Sequence, residues 1–138
     1  MDQKSVAQKM YIKPKMNGII LNKPEGVSTD LFGFESSVQL DAQPDSPLSF
    51  IIMFAKSTVA ELERNAKQAV NLMGNNTMLW VAYPKKSGSI SSELDRDSSV
   101  EALDNHGLQG VSQIALNADW SLIRFKYRSD TEMLTYKF

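Results

Sequence analysis

Cysteine is absent from this chain, and histidine occurs once, as His106. Without thiols there is no disulfide, thiolate nucleophile, zinc ribbon or iron–sulfur cluster. One imidazole argues against a histidine-based metal site and against a Ser-His-Asp triad. A dominant charge is also lacking: 15 Lys+Arg face 16 Asp+Glu, for a net charge of −1. No global basic field draws the chain to duplex nucleic acid, although a local basic patch is compatible with that balance. The longest apolar run, "FIIMFA" at 50–55, is far too short to span a bilayer. The amino-terminal "MDQKSVAQKMYIKPK" has no signal-peptide core. A cytoplasmic protein with no membrane partner is the expectation. Neither the Gly-x-Gly-x-x-Gly fingerprint nor the Gly-x-x-x-x-Gly-Lys-Ser/Thr loop occurs, so no motif calls for a cofactor.

What is present is the composition of an ordinary globular domain, with 42% hydrophobic and 22% charged residues in 138. That length fits one domain, 1–138, and buries enough surface to fold without a disulfide or metal. A short helix is expected over 4–11. "NGIILN" (17–22) reads as a buried strand closed by the "KPEG" turn. If that strand is parallel, Lys23 and Glu25 lie at the ligand-binding edge of the sheet and can join a site there, although a turn is sufficient to explain them. "SSVQL" (36–40) alternates weakly and predicts a poorer edge strand, and the two prolines of 41–47 make that segment a loop. "LSFIIMFA" (48–55) is apolar on both faces, as a strand covered by helices on each side is.

A helix follows, with Val59, Leu62, Ala66, Ala69, Val70 and Met73 on one face. Thr58 and Glu61 form a capping-box pattern, and Gly74 sits where a carboxy-terminal cap belongs. "TMLWVAY" (77–83) predicts another buried strand, with Trp80 in the core. A second helix is expected over 98–106, with Ser98 and Glu101 as its box and His106 complementing the helix dipole before Gly107. "VSQIALN" (111–117) and "WSLIRFKY" (120–127), separated by Ala118-Asp119, predict an antiparallel hairpin. The tail from 128 predicts a short edge strand.

The order β-(β)-β-α-β-α-β-β implies a single, mainly parallel sheet flanked by helices, with an antiparallel carboxy-terminal strand. That ending resembles the carboxy-terminal half of the methyltransferase-type, Rossmann-like doubly wound fold, where the final strand inserts beside the strand before last. Here the scaffold would be truncated.

"YPKKSGSISSELDRD" (83–97) carries the polar chemistry. Ligands of open parallel sheets bind outside the carboxyl ends of the strands, and this loop follows such an end. Lys85 and Lys86 bring charge, Ser87 and Ser89 bring hydroxyls, and Gly88 permits a turn that exposes backbone N–H groups as an anion nest. The loop is either a site for a phosphate or carboxylate, or a solvated connection. Asp95 or Asp97 can cap the following helix or pair with Arg124; alternatively Asp97 is a general base and Arg96 an anion clamp. Trp120 and Arg124 share a strand face, where they stack a ligand ring or each other, or close the sheet edge. The binding set expected from sequence is therefore Lys85, Lys86, Ser87, Ser89, Arg96, Asp97, Trp120 and Arg124, with no catalytic set and no metal.

These segments together resemble a family of small bacterial cytoplasmic proteins to which no reaction is assigned. Its pattern is an apolar strand ending in Tyr-Pro-Lys-Lys, an Asp-Leu-x-Arg-Asp segment, a Gly-Leu-led strand and a closing Trp-Ser-x-x-Arg-Phe. The counterparts here are Tyr83, Pro84, Lys85 and Lys86, then Arg96 and Asp97, then Gly107 and Leu108, and finally Trp120, Ser121, Arg124 and Phe125. The first acidic position is Glu93 where the family has Asp. "KMYIKPKMNGIILNKPEG" is also similar, so the resemblance covers nearly the whole chain, and it implies the fold alone.

Three functions are compatible with this sequence. One is a binding or interaction domain whose loop at 85–89 accepts a small anion. Another is an enzyme on a reduced methyltransferase-like scaffold, acting on a phosphorylated or carboxylated small molecule. S-adenosyl methionine fits that reading poorly, because "NKPEGVSTDLFG" offers only Gly26 and Gly33. The third is a structural protein that docks a protein partner.

Overall fold

A computed structural model describes residues 4–40, 48–74 and 76–128. The strands are β1 (Gly18–Leu21), β2 (Phe50–Phe54), β3 (Met78–Pro84), β4 (Leu108–Ala115) and β5 (Trp120–Tyr127). The helices are α1 (Val6–Lys9), α2 (Val59–Leu72) and α3 (Arg96–Asp104), with one 3₁₀ turn at Thr29–Phe32. The strands join in the order β1-β2-β3-β5-β4. β1, β2 and β3 are parallel, and β5 runs antiparallel to both β3 and β4. The final strand is thus inserted between β3 and β4, and the expected fold class holds.

Period-2 alternation divides the apolar strands between two cores. Ile51, Met53, Leu79, Val81, Ile123 and Phe125 pack beneath Leu62, Ala66 and Ala69 of α2 and Ala102 and Leu103 of α3. On the other face Phe50, Ile52, Phe54, Trp80 and Leu122 meet Ala7, Met10, Ile12 and Phe32. Burial on both faces is why these strands read as unbroken apolar runs. Gly18 is required by this packing, because a Cβ there would lie 2.4 Å from the Phe50 ring.

The connections after β1 and β2 take opposite faces. Segment 27–40 packs on the α1 face, whereas α2 covers the other. The Asn17 carbonyl accepts from Ser49 N–H, toward β2, while Gly18 N–H donates to Gln39 on the outer side of β1. The carboxyl ends of β1 and β2 therefore flank a topological switch point, the usual ligand position in open α/β sheets.

Several local expectations are corrected. The strand expected at 36–40 amounts to one parallel bridge between Asn17 and Gln39. The first helix is shortened to four residues because Tyr11 turns to φ 63° just beyond it. In α2, Thr58 Oγ1 accepts the Glu61 N–H, but the Glu61 carboxylate reaches back to the Lys56 and Ser57 N–H groups instead of closing the box. The α2 cap is Met73 in extended conformation, and Gly74 N–H donates to Thr77 Oγ1. Val59, placed on the apolar face, is exposed. Helix α3 starts two residues early because Asp95 and Ser98 cap each other reciprocally, which displaces the Ser98–Glu101 box. That helix ends at Asp104, before His106. β4 begins at Leu108, earlier than expected, with a register irregularity between Gly110 and Ser112. The loop at 41–47 and the tail strand lie outside the described residues. Among the described residues no helix is long and apolar enough to cross a membrane.

Candidate functional site

The loop after β3 is built around an internal anion. Asp119, in the β4–β5 turn, accepts from the Ser89 N–H at 2.8 Å and from the Ser89 hydroxyl at 2.9 Å. Its backbone carbonyl accepts from Lys85 N–H, and Gly88 N–H closes the turn onto Lys85 O. A Cβ at Gly88 would lie 2.9 Å from Asp119 Cα, so only glycine lets the two loops approach this closely. The two Ser89 hydrogen bonds, aided by the Lys85 charge, hold the Asp119 carboxyl below the usual carboxylate range. Of the groups expected to receive an anion, the Ser89 N–H and hydroxyl are both given to Asp119, while the Gly88 N–H goes to Lys85 O.

Beside that turn is a cavity of about 470 Å³. Lys85, Lys86, Ser87 and Arg96 line it, four of the eight residues expected from sequence. Tyr83, Asp95, Gln113 and Ser121 complete it, and none of these belongs to the expected set. Tyr83 and Ser121 stand opposite each other in the β3–β5 register, and both face the α2–α3 side. The Tyr83 hydroxyl accepts from Gln113 Nε2 at 2.9 Å. Burial pushes the Tyr83 phenol up, partly offset by its hydrogen bond with Ser121 and by the Arg96 charge. The Asp95 carboxyl is lowered, first by the Ser98 N–H it accepts. Lys86 reaches the Ser92 carbonyl across the loop.

The remaining expected residues are elsewhere. Asp97 points into solvent, its carboxylate 3.9 Å from Arg96 Nε. Trp120 is buried on the opposite face, edge-on to Phe54 at 5.2 Å. Arg124 lies across from Trp80 and beneath the Tyr11 ring, 5.7 Å from its centroid. The expected pairing of Asp95 or Asp97 with Arg124 cannot form, since helix α3 and the Arg124 side chain occupy opposite faces of the sheet. Strand alternation finds Tyr83 and Ser121 only once the β3–β5 register is known. Asp119 carries no local signal.

A second cavity, of about 490 Å³, opens at the switch point between β1 and β2. Its walls are Asn22, Ser57, Thr58, Glu61, Arg64, Asn65 and Gln68, all polar. Most of that polarity is already satisfied. Asn22 Nδ2 donates to Gln68 Oε1, Asn65 Nδ2 donates to the Phe54 carbonyl, and Glu61 takes the Lys56 and Ser57 N–H groups. Glu93, from the β3–α3 loop, accepts the Val59 N–H at the amino end of α2. At the nearby "KPEG" turn, Lys23 Nζ donates to the Val27 carbonyl. Among the described residues no His, Cys, Asp and Glu group is arranged to hold a metal.

No protein-family model matches the chain, and no curated protein matches it in sequence. Solved structures do resemble it. The glycopeptide N-methyltransferase MtfA superposes with a TM-score of 0.55 at 9% identity, over 87% of each chain. The B. subtilis m1A22 tRNA methyltransferase TrmK gives 0.53 at 7% identity, over 96% of this chain and 71% of its own. LepI, in complex with SAH and a substrate analogue, gives 0.52 at 12% identity over 88% of this chain. The chain spans only 39% of LepI's length. At such identities the likeness establishes architecture alone: this is a methyltransferase-like, Rossmann-like α/β fold.

Proposed function

We propose that the chain is a non-catalytic binding domain that takes a small phosphate- or carboxylate-bearing ligand in the cavity beside Lys85, Lys86 and Arg96. The observation that supports this reading is the convergence of three cations from two segments on one cavity. Its one lining carboxylate, Asp95, is engaged in capping α3. Tyr83 and Ser121 add hydroxyls that can orient a bound oxygen. Tyr83, with its phenol raised by burial, stays protonated at neutral pH and serves as a donor rather than a base. Ser121 bonds Tyr83, and no histidine or lowered phenol stands by to activate it.

The second reading, an enzyme acting on a phosphorylated or carboxylated small molecule, draws support from the methyltransferases that share the fold. S-adenosyl methionine fits the switch-point crevice poorly. The walls there offer no apolar or aromatic side chain for an adenine ring to lie against, and the N–H groups of Lys56, Ser57 and Val59 are held by Glu61 and Glu93.

A thermal-shift screen of wild type and Lys85→Ala/Lys86→Ala against phosphates, nucleotides, small carboxylates and S-adenosyl methionine tests both. A ligand at about a hundred times its dissociation constant adds near 2.7 kcal/mol. A shift with an anion that disappears in the double variant supports the binding domain. An equal shift of both proteins by S-adenosyl methionine favours the enzyme.

A further inference from the structure

Residues 3–24 contain Lys4, Lys9, Lys13, Lys15 and Lys23 but no acidic residue, in a chain whose net charge is −1. Within that stretch Lys9, Lys13 and Lys15 are exposed and alternate with Tyr11, whose side chain is also exposed, at 60%. Tyr11 adopts φ 63°, a left-handed conformation that a bulky side chain takes only at some cost. The conformation is fixed by the end of α1, where Tyr11 N–H donates to Gln8 O and Ile12 N–H to Ala7 O. Its effect is to turn the ring out of the core and over β5, onto the Arg124 guanidinium.

Arg124 is itself incompletely used. Its Nε is buried without a hydrogen-bond partner, as is Nε1 of Trp80 directly across the strand pair. Arg124 and Lys126 also line a cavity of about 280 Å³. An exposed aromatic ring backed by a cation and flanked in sequence by exposed lysines combines a surface on which a nucleobase stacks with charge for its phosphates.

We propose that Tyr11, backed by Arg124 and flanked by Lys9, Lys13 and Lys15, is a platform for single-stranded nucleic acid. A base stacks on Tyr11 while the lysines and Lys126 track the backbone. Single strands are favoured over duplex because an unstacked base can reach one protruding ring. A protein partner is disfavoured because lysine is depleted at such interfaces. A membrane is disfavoured because the four-residue α1 is too short to lie in one as an amphipathic helix. The platform lies five strand residues from the Lys85 cavity, from Trp80 to Lys85, or roughly 17 Å along β3. The two sites can therefore be tested separately.

The experiment is fluorescence anisotropy of the full chain with labelled oligouridine and oligodeoxyuridine of about 12 nucleotides, across a salt series. Binding should weaken with salt. Tyr11→Ala should lower affinity about tenfold and leave the salt slope unchanged, and Tyr11→Phe should restore it. Lys13→Ala/Lys15→Ala should reduce the slope by roughly 1.4. A preference for oligouridine supports the platform and shows that the 2′-hydroxyl is read; equal binding supports it through base and phosphate alone. Failure of both oligonucleotides to bind overturns the proposal. So does undiminished binding by folded Tyr11→Ala, equal binding of a duplex, or loss of binding in Lys85→Ala/Lys86→Ala. Capture by phosphatidylserine vesicles through the same residues, without oligonucleotide binding, overturns it as well.

Discussion

Asp119 accepts both the backbone N–H and the hydroxyl of Ser89, so one carboxylate from the β4–β5 turn organises the loop that follows β3. The loop has the sequence of a nest for an external anion, and its own protein supplies one. Beside that loop lies the proposed ligand site, the cavity where Lys85, Lys86 and Arg96 meet Tyr83, Gln113 and Ser121.

Acid should release this loop. The Asp119 pKa is lowered in the folded chain, so its contribution is fully present above the ordinary aspartate value of about 3.9. It is lost as pH falls through the lowered value. An NMR titration of the Ser89 amide should therefore move with a midpoint below that ordinary value, and Asp119→Ala should abolish the transition. A midpoint at or above it would show that the hydrogen bonds are not held in solution.

Alkali should reveal Tyr83. Its folded pKa is raised, first by burial, so its contribution is complete below the ordinary tyrosine value of about 10 and fades as pH rises through the raised one. Phenolate absorbance should include a late component that ionises above the ordinary tyrosine value, and Tyr83→Phe should remove it. The same substitution gives up hydrogen bonds to Gln113 and Ser121 and should cost about 1 kcal/mol in urea unfolding. If the late component survives in Tyr83→Phe, its assignment fails.

Gly18→Ala should be a severe change for one methyl group. The added carbon would stand 2.4 Å from the fully buried Phe50 ring, and overpacking of this kind costs about 1–3 kcal/mol. Phe50→Leu in the same chain should recover part of the loss, a coupling that denaturant midpoints of the four proteins would measure. Strictly additive losses would mean that the clash is relieved elsewhere.

The local chemistry of this chain is legible where the signal is local. The unbroken apolarity of 50–54, the Thr58 cap and the face of Leu62, Ala66 and Ala69 specify β2 and α2. The tight Ala118-Asp119 connection sets the start of β5 at Trp120, and the strand runs to Tyr127, the span its pattern predicts. Lys85, Lys86, Ser87 and Arg96 can be picked out because their loop follows a strand end, and the structure places them around one cavity.

Other features needed the tertiary structure, because they depend on which strands become neighbours. Trp120 and Arg124 share a strand face as expected, but β5 inserts with that face toward α1, away from the loop. The same insertion brings Ser121 to Tyr83 and leaves the Asp119 carboxylate against Ser89, 30 residues away in sequence. Composition and periodicity by themselves determined an α/β domain with a polar edge. The long-range register of β3 with β5 decided which polar residues meet there, and local sequence cannot encode a pairing whose partner lies on a distant strand.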